Sequence, residues 1–144
     1  MTATKNFKLH RQRGLTLFEL LVVLAILAFL ATLVAPRVVG YLGRAKSDIA
    51  RTQASNIASS LELYYLDFGR YPELQDGLTA LVEAPDGAER WLGPYLKDES
   101  GLTDPWGRQF QYNVTDNGDG FEVITLGRDG EEGGDGEDAD IRKL

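Results

Sequence analysis

From Leu15 to Ala35 the chain runs 21 residues interrupted only by Thr16, Glu19 and Thr32. About 20 apolar residues in a helix cross a hydrocarbon core ~30 Å thick. Lys5, Lys8, Arg11 and Arg13 precede this run with no acid among them. A basic flank on that side is expected to keep the N-terminus cytoplasmic and send the rest across the membrane. A cleaved secretory signal has a shorter apolar core and a small-residue cut site after it. The "VAPRVVGYLGRAKS" that follows has no A-x-A. A plain signal anchor explains the flank and the span. It does not explain Glu19, because a lone acid in hydrocarbon costs roughly 2.5–3.5 kcal/mol even on lenient insertion scales.

Composition narrows the chemistry. There is no cysteine, and His10 is the single histidine. Disulfides, thiolate metal sites, cysteine nucleophiles and multi-histidine sites are excluded. Beyond residue 14 the chain has 11 basic against 22 acidic residues, a charge of −11. So acidic a surface repels nucleic acid.

Helical spacing resumes directly after Pro36. Leu42, Ala45, Ile49, Gln53, Ile57, Leu61, Tyr64 and Phe68 recur every three or four residues. Pro36 has no N–H and is expected to kink one continuous helix over 15–68, rather than end it. Gly69 and Pro72 supply the stop. Residues 69–144 alone make a marginal core, so they are expected to pack on the 49–68 stripe. "GRYPELQDGLTALVEAP" reads as a turn and a short helix over 75–83, with Leu74, Leu78, Leu81 and Val82 on its apolar face. Trp91, Pro94, Tyr95 and Leu96 are candidate anchors in a loop-rich stretch. Alternation at Phe110, Tyr112 and Val114 and again at Phe121, Val123 and Thr125 predicts a hairpin of strands 110–114 and 121–126. "TDNGDG" between them is turn chemistry. It has the flavour of an EF-hand loop but no bidentate Glu at the twelfth position. The expected fold class is α+β: a long N-terminal helix, transmembrane in its first half and kinked near Pro36, packed on a small antiparallel sheet with a structured C-terminal loop.

Residues 129–140, "DGEEGGDGEDAD", hold seven acids and four glycines. Such a stretch reads either as a solvated acidic loop or as a cation site. The latter has the required oxygens, and glycines let carbonyls converge. With no sulfur or imidazole ligand available, calcium is the natural ion.

Gly14-Leu15-Thr16-Leu17-Phe18-Glu19, behind its basic leader, resembles the prepilin-peptidase site of type IV pilins and type II secretion pseudopilins. The usual first mature residue there is Phe; Leu15 keeps a large apolar group. The resemblance implies cleavage after Gly14, N-methylation of Leu15, and Glu19 as the fifth mature residue, neutralising a cationic N-terminus on a neighbouring subunit. "YYLDFGRYPELQDGLTALV", "YLKDESGLTDPWGRQFQY" and "TLGRDGEEGGDGEDADI" resemble, in order, three segments of the G-type (major) pseudopilins. That likeness implies a pilin-like fold in four parts: leader 1–14, assembly helix 15–36, amphipathic helix 37–68 and globular region 69–144. It implies a structural role in a bacterial inner membrane, single-pass, with the C-terminal region periplasmic and assembly at Glu19 and Pro36. Its implied partners are further copies of the chain, a prepilin peptidase, an inner-membrane assembly platform and minor pseudopilins. It implies calcium held by the Leu126 carbonyl and Asp129, with Asp138 next and Asp135, Glu137 and Asp140 as further candidates. A type IV pilin or minor pseudopilin is the alternative. A membrane-anchored periplasmic enzyme is the third, with Asp67 and Glu73 as its candidate acids.

Overall fold

The structure, a computed structural model, describes residues 14–115 and 118–144. The leader residues 1–13 and the Asp116-Asn117 part of the turn lie outside these. Helix α1 is Leu17–Phe68, with Pro36 inside it. Pro36 therefore does not terminate the helix. Two compact units divide the chain, 1–39 and 40–144. In the first, the apolar side chains of Leu17–Val39 are exposed among the described residues.

The second unit holds the core. Gly69, in the left-handed region at φ +70°, ends α1 by donating to the Tyr65 carbonyl at 2.7 Å, as a C′ glycine does. Two 3-10 helices follow, Gly77–Leu81 and Glu99–Leu102. The short helix expected over 75–83 forms as the 3-10 helix Gly77–Leu81, and it starts no earlier because Gly77 has φ +57°. A right-handed helix from Gln75 cannot pass through that conformation. Leu74, placed on its apolar face, is exposed as a result, while Ala80 is buried.

Strands β1 (Gln111–Val114), β2 (Phe121–Thr125) and β3 (Ile141–Lys143) form an antiparallel sheet in the order β1-β2-β3. The hairpin register pairs Val114 with Phe121. Across the turn Thr115 N–H donates to Gly120 O at 3.0 Å, and Gly118 N–H to Thr115 O at 2.8 Å. β3 has no counterpart in the sequence reading. Its three residues are too short for an alternation to register, and only Ile141 is buried.

The core gathers Ala50, Ala54, Ile57, Ala58, Leu61 and Tyr64 of α1 with Leu78, Leu81, Leu102, Phe110, Phe121, Val123 and Ile141. Trp91, Tyr95 and Leu96 pack against it, as expected; Pro94 is exposed. From Ile57 to Tyr64 the helix buries the stripe its large residues suggest, but over 42–50 it buries a different row. Leu42, Ala45 and Ile49 are exposed, whereas Gly43, Ser47, Ala50 and Ala54 are buried. Small residues let a loop approach the helix closely. A Cβ on Gly43 would lie 2.8 Å from Glu137 Cδ.

Candidate functional site

Two regions carry the sequence-predicted residues. The first is the start of α1. Gly14, Leu15 and Thr16 lie outside the helix and are exposed, and a Cβ on Gly14 would meet nothing within 4 Å among the described residues. The predicted scissile bond is thus accessible and not held in a helix. Thr16 Oγ1 accepts from the Glu19 N–H at 3.2 Å, and Glu19 Oε2 accepts from the Thr16 N–H at 3.5 Å. This reciprocal pair is a capping box, which satisfies two of the amides a helix start leaves open. The T-x-x-E spacing announces it, so Glu19 has a local role beside the charge pairing that the family resemblance implies. From Leu17 onward α1 is long and apolar enough to cross a membrane.

The second region is the acidic loop. It leaves β2 at Leu126 and re-enters the sheet at Ile141. Asp138 takes Arg128 as a two-pronged fork, from Nε and Nη2, at 2.8 Å each. Arg128 Nη1 also lies 3.4 Å from Glu137 Oε2, and Trp106 Nε1 donates to Glu137 Oε1 at 3.0 Å. Asp140 Oδ2 accepts from the Gly133 N–H and from Arg142, both at 3.2 Å. Asp129 Oδ1 caps the Glu131 N–H at 3.1 Å, and the Leu126 carbonyl accepts from the Gly130 N–H at 3.2 Å. Arg108 reaches across to the Gly127 carbonyl. The hydrogen bond that Arg128 donates to Asp138, followed by the charges of Asp138 and Glu137, pushes the Arg128 pKa above its ordinary value, so the guanidinium stays charged.

As folded, these residues do not fit a calcium cage. Among the described residues no three acidic side chains gather about a common point. Both oxygens of Asp138 face a guanidinium, and Leu126, Asp129, Glu137 and Asp140 each have a donor already. Asp135 is exposed. One oxygen of the loop stands apart: Asp140 Oδ1 is buried without a partner among the described residues.

Behind the loop, Asp104 is 4% exposed. It accepts from the N–H groups of Trp106 at 3.0 Å and Arg108 at 2.9 Å, and from Thr125 Oγ1 at 2.5 Å. It ties the DPWG turn to β2. Asp67 and Glu73, the acids of the enzyme reading, have structural partners. Tyr95 O–H donates to Asp67 at 2.7 Å, and Arg70 pairs with Glu73 at 2.7 Å.

A long N-terminal helix packed on a three-stranded antiparallel sheet, headed by an exposed Gly-Leu bond and a capped Glu, defines a pilin-like subunit. Comparison with known proteins bears this out and goes further. The family described as "Type II secretion system (T2SS), protein G" matches residues 37–144. The "Prokaryotic N-terminal methylation motif" matches residues 9–35. The type II secretion system core protein G of Xanthomonas campestris is 39% identical over 131 residues, covering 91% of this chain and 89% of that protein. The core protein G of Pseudomonas aeruginosa is 42% identical over 136 residues, covering 92% and 94%. The crystal structure of the major pseudopilin from the type 2 secretion system of enterohaemorrhagic Escherichia coli superposes with TM-score 0.55 at 26% identity, covering 72% of this chain and 90% of that one. The chain belongs to the type II secretion system protein G family, the major pseudopilins, and is a structural subunit and not an enzyme.

Proposed function

We propose that this chain is made as a membrane-anchored precursor, cut after Gly14 by a prepilin peptidase and methylated at Leu15. The mature subunit then polymerises through its apolar helices into a periplasmic pseudopilus that drives protein secretion. Its N-terminus is cytoplasmic before cleavage and its globular unit periplasmic, following the basic flank. Further copies, an inner-membrane assembly platform and minor pseudopilins are its partners. The observation that carries this reading is the start of α1. A methylation motif leads into an exposed, non-helical Gly14-Leu15 bond, and directly after it comes a helix whose apolar side chains over 17–39 are exposed among the described residues. Exposed apolar surface on this scale fits lipid before assembly and neighbouring helices afterwards. Glu19 gains a partner on cleavage, because the cut creates an amine where the precursor has a peptide bond, and charges within a membrane are usually paired.

Mass spectrometry of the protein purified from its host tests this. The expected mature N-terminus is a methylated Leu15. A chain still starting at Met1, or cut beyond Ala35, overturns the reading.

A further inference from the structure

We propose that the acidic loop is folded by the chain's own guanidinium groups, Arg128 above all, and holds its conformation without a bound calcium ion. Seven acids in twelve residues repel one another, so a single folded conformation needs positive charge among them. Arg128 supplies it. Its planar fork meets Asp138 through two bonds of 2.8 Å, the geometry in which a guanidinium matches a carboxylate best. Its third nitrogen faces Glu137 at 3.4 Å. Arg142 holds Asp140 from β3, and Arg108 holds the Gly127 carbonyl from the DPWG turn.

Calcium would compete for the same lone pairs, since it takes roughly six to eight oxygens at about 2.3–2.6 Å. Asp138 cannot turn both oxygens to a metal and keep the fork. Isolated surface ion pairs are weak, but a bidentate pair within a network is the exception. Here the acid partners are sheltered: the side chains of Glu137 and Asp138 are 19% and 28% exposed. The clamp also seats the loop, because the Glu137 side chain lies against Gly43 of α1 and under the indole N–H of Trp106. The backbone bonds it encloses are Arg128 N–H to Glu137 O at 2.9 Å and Asp140 N–H to Gly133 O at 3.2 Å.

Hydrogen exchange of the peptide spanning 126–141, measured on the full chain in detergent micelles, tests the proposal. Wild-type exchange should be the same in millimolar calcium chloride and in EGTA. Arg128→Ala in EGTA should exchange at least about tenfold faster, as a locally opened loop does. Arg128→Lys should fall between, since an ammonium keeps the charge and loses the fork. Wild type that exchanges faster in EGTA than in calcium overturns the proposal. So does Arg128→Ala exchanging like wild type in EGTA, or stoichiometric calcium binding to wild type by calorimetry. If Arg128→Ala does not accumulate, the wild-type comparison and the calorimetry decide, as neither needs a substitution.

Discussion

Glu19 can serve two ends, and one substitution separates them. Within a single chain its carboxylate caps Thr16; within the proposed fibre its charge pairs with a neighbour's N-terminus. A Gln at the third helical position completes a capping box as well as Glu, but carries no charge. If charge governs assembly, Glu19→Gln and Glu19→Ala should both be processed and both fail to form fibres. If the cap governs, Glu19→Gln should assemble like wild type and only Ala should fail. Sheared-fibre yield reads the difference. Asp104 is a second pivotal residue. Asp104→Ala leaves two backbone donors and the Thr125 hydroxyl without their acceptor, and should lower stability in urea by ~1–3 kcal/mol or more. Asp104→Asn, which keeps one acceptor oxygen, should cost less. Tyr112 ties the fold to pH. Burial, then the Tyr64 and Tyr71 phenols, push its pKa well above the ordinary 10.0, and its O–H donates to the Pro72 carbonyl at 2.9 Å. The folded state keeps a proton that the unfolded chain releases near pH ~10, so stability falls as pH rises past that point toward the folded value. Thermal midpoints on either side of pH ~10 should show the decline, and Tyr112→Phe should make it shallower, since burial also raises the pKa of Tyr64, Tyr71 and Tyr95.

Among the elements, α1 was the most legible, and its rows show where legibility stops. Three-and-four spacing marked a helix to Phe68, and Gly69 marked its end at the right place. The same spacing drew the buried stripe through Leu42 and Ile49, which the fold leaves open at 63% and 52% exposure. Periodicity locates apolar side chains but cannot say whether their partner lies in the same chain. Gly43 and Ser47, small and not conspicuously apolar, are the residues the loop covers. Gly43→Ala should accordingly lift Glu137 from the helix and loosen the loop, seen as faster exchange at residues 126–141. Leu61, fully buried, should behave as an ordinary core residue, with Leu61→Ala costing ~2–5 kcal/mol. Both hairpin strands were visible from alternation. β3 was not, since the sheet recruits it through pairing with β2, a long-range event without local signature. The acidic loop's chemistry was the least legible part. The acids and glycines are plain in the sequence, but the pairing of Arg128 with a residue ten positions on depends on a fold that brings them together.

On the scale of the whole molecule, folding and the proposed polymerisation would draw on different surfaces. The core of the second unit is complete within one chain, whereas Leu17–Val39, Leu42 and Ile49 remain uncovered. Leu42→Asp or Ile49→Asp should therefore change the thermal stability of the globular unit by no more than ~0.5 kcal/mol, as exposed positions do. The same substitutions should reduce fibre formation if these side chains meet neighbouring subunits, as crosslinking would report. Sequence patterns gave the anchor, the order of elements and the family early, because each rests on local spacing or contiguous motifs. What they could not give was the division of labour on α1, which depends on what lies opposite each row. The two rows of that helix have a consequence for inheritance. Changes on the buried row, which continues from the small residues into Ile57 and Leu61, are felt by every subunit as it folds, and a damaged copy is lost before it meets another. Changes on the large-residue row spare the individual subunit and surface only in company, so a defective copy mixed with sound ones would enter the fibre and weaken it from within. Co-expression of wild type with an Ile49→Asp chain should accordingly be dominant, and co-expression with Leu61→Ala recessive.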